Sequence, residues 1–69
     1  MITEHELVIL IEDIPAENLK ASDVGTAVRA HPDKGSFDVE FFSPDGETTR
    51  IVTVPAGHLV VRSINMVTN

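Results

Sequence analysis

Five short runs of β-branched and other apolar residues, separated by proline and glycine, constrain this chain more than any other feature. Residues 7–11 run Leu-Val-Ile-Leu-Ile and end at Asp13-Ile14-Pro15. Residues 24–31 end at Pro32-Asp33-Lys34-Gly35, residues 37–42 at Ser43-Pro44-Asp45-Gly46, and residues 48–54 at Pro55-Ala56-Gly57. Residues 59–62 form the last run. Apolar runs of this length between turn-forming residues read as strands. No segment carries the 3.6-residue periodicity of a helix longer than one turn, and residues 16–22 read as a polar loop. The expectation is an all-β fold of about five antiparallel strands, closed on itself because closure removes exposed sheet edges.

At 69 residues there is one domain, residues 1–69, with no room for a second core. A chain this short buries only about 60% of its unfolded surface, so it is marginal alone and self-association would help it. Residues 64–69 carry Ile64, Met66 and Val67 and are expected to form an extra strand or a flexible tail. Eleven acidic and 5 basic residues give a net charge of −6, which repels phosphate and argues against nucleic acid and anionic membrane as partners. Cysteine is absent, excluding disulfides and thiolate metal sites. The start, Met-Ile-Thr-Glu-His-Glu, is acidic where a secretory signal is basic, and no stretch is long enough to span a membrane. A soluble cytoplasmic protein is expected.

The turns predict a register. Closing residues 43–47 with Ser43 opposite Glu47 sets Phe41 against Thr49, Glu40 against Arg50 and Val39 against Ile51. Placing His31 opposite Ser36 sets Ala30 against Phe37, Arg29 against Asp38 and Val28 against Val39. The two agree on a three-stranded meander whose core face holds Val24, Thr26, Val28, Phe37, Val39, Phe41 and Ile51. The outer face then holds Arg29, Asp38, Glu40 and Arg50 as cross-strand ion pairs. Phe42 and Val52 fall on that outer face. The first strand is apolar on both faces, so either the tail or another chain covers the excess.

The segment Leu19-Lys20-Ala21-Ser22-Asp23-Val24-Gly25-Thr26-Ala27-Val28 resembles the signature of a family of small bacterial proteins, domain of unknown function 4926. The likeness extends upstream through Leu7-Val8-Ile9-Leu10 and Glu12-Asp13-Ile14-Pro15. Downstream it takes in Phe37-Asp38-Val39-Glu40-Phe41, Asp45-Gly46-Glu47-Thr48 and Val52-Thr53-Val54. Ser22 stands where glycine is usual, and Ala27 where valine is usual. The serine implies that position 22 does not strictly require positive φ. The aspartate-valine-glycine-threonine pattern is also similar to SH3-like small barrels, which implies that fold and no activity. Within it, Asp23 is expected to cap the turn into the strand, and Gly25 to permit a bend or a close backbone approach.

Chemistry is sparse. There is no glycine-rich phosphate loop, metalloprotease spacing or nucleophile elbow. The acids fall in turns and on the outer face, where carboxylates are ordinarily solvated, so no catalytic residue is assigned. His5, His31 and His58 are scattered, and no metal or cofactor is expected. Without tryptophan or tyrosine, a proline-peptide groove is not expected either. The reading is a non-enzymatic protein–protein interaction module, such as the binding or neutralising partner of a neighbouring gene product. The alternative is a self-assembling barrel, a homo-oligomer with no separate ligand; an enzyme or metal protein is least favoured. Candidate contact residues are Glu12, Asp13, Glu17 and Asn18 on the long loop, with Phe42 and Val52. Uncompensated charge gathers at Glu4, Glu6, Glu12, Asp13 and Glu17, which predicts a partner with a basic patch.

Overall fold

The computed structural model describes residues 2–43 and 45–61. The possible strand or tail at 64–69 lies outside the described residues. Five strands form one antiparallel sheet: β1 (Leu7–Leu10), β2 (Val24–His31), β3 (Ser36–Phe42), β4 (Thr49–Pro55) and β5 (Leu59–Val61). The spatial order is β4-β3-β2-β1-β5. Single 3₁₀ turns at Pro15–Glu17, Pro32–Lys34 and Ala56–His58 are the only helical pieces among the described residues. Two of the three begin at a proline, whose fixed φ suits a first helical position.

The all-β architecture of five antiparallel strands is the one expected, with one difference. Among the described residues the sheet is not closed: β5 has three residues and pairs β1 alone, and β4 pairs β3 alone. The core lies on one face of the sheet and comprises Val8, Leu10, Leu19, Ala27, Val39, Phe41, Val52, Val54 and Leu59. Phe37, Ile14 and Ile2 pack at its margin.

The expected register holds at the β2–β3 hairpin, where His31 faces Ser36, Ala30 faces Phe37 and Arg29 faces Asp38. Gly35, in the left-handed region at φ 63°, closes that turn. Beyond Arg29 the expectation fails. Val28 is the extra residue of a β-bulge, so Val39 faces Ala27 and Phe41 faces Gly25. The bulge reverses the faces of the first half of β2. Gly25 and Ala27 point inward, and Val24 stands on the surface.

The β3–β4 register is also one residue from expectation: Val39 faces Val52, Glu40 faces Ile51 and Phe41 faces Arg50. The hairpin loop takes an additional residue because Asp45 organises it. The Asp45 carboxylate accepts the Glu47 N–H at 2.8 Å and the Thr48 N–H at 3.4 Å. Gly46, at φ 73°, donates to the Ser43 carbonyl, and Ser43 N–H reaches the Thr48 carbonyl at 2.8 Å. The shift turns Val52 and Val54 inward and leaves Ile51 59% exposed. Burying two valines in place of one isoleucine between two threonines decides the register. Val52 is therefore a core residue, 8% exposed, and not the outward contact expected of it.

The charge ladder changes with it. Asp38 still stands opposite Arg29, but its carboxylate accepts the Thr53 hydroxyl at 2.7 Å and meets His31 Nε2 at 3.0 Å. The Thr53 hydrogen bond, opposed by burial and aided by His31, holds the Asp38 carboxyl below its ordinary value of 3.8. Arg50 leaves Glu40 altogether.

Gly25 and Ser22 behave in opposite ways. A Cβ on Gly25 would lie 2.6 Å from Val39 Cγ1, 2.8 Å from the Glu40 carbonyl oxygen and 2.9 Å from Phe41 Cδ1. Ser22 adopts φ 85°, so the serine does not relax the requirement for positive φ; it occupies that conformation at a steric cost. Two substitutions follow. Gly25→Ala is expected to destabilise the fold by about 2–3 kcal/mol through overpacking, and Ser22→Gly to stabilise it by about 1 kcal/mol. Urea unfolding of the two variants beside the wild type measures both.

Candidate interaction surface

The long connection from β1 to β2 is held by its own hydrogen bonds. Ile14 and Leu19 exchange backbone bonds of 2.9 and 3.1 Å around the Pro15–Glu17 turn, and Asn18 closes it in the left-handed region at φ 58°. Leu19 is buried and anchors the loop to the core. The Asp13 carboxylate accepts the Ala21 N–H at 2.8 Å. Asp23 accepts the Lys20 N–H at 3.0 Å, the capping role expected of it.

Arg50 ties this loop to the sheet. It lies on the inner side of β4 at the strand's beginning, where the core ends. Its guanidinium meets the Glu17 carboxylate at 3.3 Å and also donates to the Glu17 backbone carbonyl. Beside this clasp opens a cleft of about 510 Å³. Asn18 and Asp23 line its loop side, Phe42, Ser43 and Arg50 its sheet side, with Leu19 and Phe41 beneath. A second hollow of about 460 Å³, between Ile2, Pro32, Phe37 and Ala56, lies towards the β2–β3 turn.

The rim of the first cleft begins an apolar row on the outer face. Phe42, 71% exposed, pairs with Thr49; Val24 stands one step beyond the pair of Gly25 with Phe41, and so beside Phe42. Val24 pairs with Ile9, and Ile9 with Val60. Phe42, Val24, Ile9 and Val60 thus cross four strands in one line. Leu7 and Ile51 extend it in the next line, both exposed.

Of the candidate contact residues, Glu17, Asn18 and Phe42 come together around the cleft. Asp13 is engaged inside the loop, and Glu12 lies apart, its carboxylate 3.2 Å from His58 Nε2. The reading from sequence missed Arg50, assigned to Glu40, and Val24, assigned to the core. Among the described residues, no three histidine or carboxylate side chains converge as metal ligands would, and no helix is long and apolar enough to cross a membrane.

The profile of the family described as domain of unknown function (DUF4926) matches residues 4–61. The chain belongs to this family. No curated protein and no solved structure matches it. The family match covers all five strands, the long loop and Arg50, so the cleft and the apolar row both lie within the shared domain.

The Arg50 clasp makes a specific prediction. Arg50→Lys removes the planar fork that serves carboxylate and carbonyl together. Amides of the long loop around Glu17 are expected to exchange several-fold faster with solvent. Global stability should change by less than about 1 kcal/mol, as befits a half-exposed pair. Hydrogen exchange resolved by residue separates the two effects.

Proposed function

We propose that this domain is a non-enzymatic protein-interaction module that works through the outer face of its sheet. One observation carries the reading: Phe42, Val24 and Val60, all exposed, form a continuous apolar row through the half-buried Ile9. Contiguous exposed apolar surface in a small soluble domain ordinarily marks a contact site. Phe42 is the natural anchor, since large aromatic side chains dominate interface energetics. The adjoining loop contributes Glu17, and the chain's net charge of −6 favours a partner presenting a basic patch around an apolar centre. Such a partner fits a neighbouring gene product bound or neutralised by this domain. The same reading has it acting in the cytoplasm, in keeping with a chain that has no cysteine.

The test is a comparison of two baits in native cells. Wild-type domain should retain a protein with a basic surface, released progressively as salt is raised, and Phe42→Ser should retain at least tenfold less. Phe42 is exposed, so the variant should keep its fold, which circular dichroism checks. Identical capture by both baits contradicts the proposed surface.

A further inference from the structure

We propose that β4 is a self-recognition edge, pairing antiparallel with β4 of a second copy about a two-fold axis at Ile51. The inference is independent of the binding role of the Phe42 row.

Hydrogen bonding at both ends of β4 fixes which of its backbone groups are free. Ser43 N–H donates to the Thr48 carbonyl, and Ala56 N–H donates to the Gly35 carbonyl at 2.9 Å. In an antiparallel pair, bonding residues alternate along each strand. Arg50, Val52 and Val54 therefore bond to β3, while Thr49, Ile51 and Thr53 turn their N–H and C=O groups away from the sheet. Among the described residues, nothing hydrogen-bonds to that side of β4.

Natural edge strands are usually blunted by charge, proline, bulges or shortness. β4 has seven residues, its register with β3 has no bulge, and no Asp, Glu or Lys occurs within it. Pro55 stands only at its end. The three residues with free backbone groups are all β-branched, and Ile51 is 59% exposed.

Two features point to a second copy as the occupant. The first is self-complementarity. The free residues read Thr-x-Ile-x-Thr, which is palindromic about Ile51, as a two-fold antiparallel pair requires. Ile51 then meets Ile51 of the other copy, and each Thr49 meets a Thr53, a favourable cross-strand pair. This register satisfies all three residues of each edge with about six hydrogen bonds. Centring the axis on Val52 would set Pro55, which has no N–H, opposite Thr49 and lose a donor.

The second feature is charge. Residues 1–47 hold all 11 acids and three basic residues, 3 − 11 = −8; residues 48–69 hold only Arg50 and Arg62, +2. Two copies of an acidic chain repel each other over most of their surface. β4 is a long, acid-free edge along which they can approach.

Cysteine scanning tests this directly, because the chain has no cysteine of its own. Across a bonded antiparallel pair the Cα atoms lie about 5.5 Å apart, within disulfide reach. Mild oxidation of Ile51→Cys should give mostly linked dimer, and a mixture of Thr49→Cys with Thr53→Cys should link far better than either alone. Phe42→Cys should remain monomeric. In sedimentation, wild type should dimerise at high micromolar concentration and Ile51→Lys should not. A wild-type monomer under those conditions, or linking by Phe42→Cys equal to that by Ile51→Cys, overturns the proposal.

Discussion

No side chain fits between β2 and β3 at Gly25. A single methyl group there would meet Val39, Phe41 and the Glu40 carbonyl, all within 3 Å. That contact requires the small residues of β2, Gly25 and Ala27, to face inward. The bulge at Val28 makes this possible while leaving Arg29 opposite Asp38 on the outside. The large side chains of β3 then fill the core in place of those of β2. The consequence outside is equally direct: Val24 is displaced to the surface beside Phe42. The apolar outer row is the complement of a core built around a glycine.

The same economy governs the charges. Four of the 11 acids are engaged in shaping the chain's connections. Asp13 and Asp23 hold the long loop, Asp45 the hairpin, and Glu17 receives Arg50. The edges of the sheet, β4 and β5, are free of acidic residues. An acidic domain with an acid-free edge and an apolar outer row has two surfaces of different character.

Much of the fold is legible in the sequence because strand runs and turn residues are local. All five strands fall within two residues of the runs that announce them, and the β2–β3 hairpin register follows from its Pro-Asp-Lys-Gly turn. What is not legible is where a ladder slips. Val24, Thr26 and Val28 alternate as an inward face should, and only the close approach at Gly25 reveals that the other set goes in. At the next hairpin, the Asp45 carboxylate adds a residue to the loop. The comparison of Arg50, Val52 and Val54 with Thr49, Ile51 and Thr53 held the answer, since valines outrank threonines for burial. Of the site, the acidic loop and Phe42 were readable. Arg50 was not, because its partner is 33 positions away and lies off the sheet.

The claim on which the self-recognition edge depends is the register and open side of β4, and amide hydrogen exchange along that strand tests it most directly. In dilute solution, Arg50, Val52 and Val54 should exchange slowly and Thr49, Ile51 and Thr53 quickly. Raising the protein concentration should slow the second set alone. Slow exchange of Ile51 and Thr53 with fast exchange of Val52 and Val54 in dilute solution would contradict the account. That pattern would mean the ladder lies one residue away from where it is described.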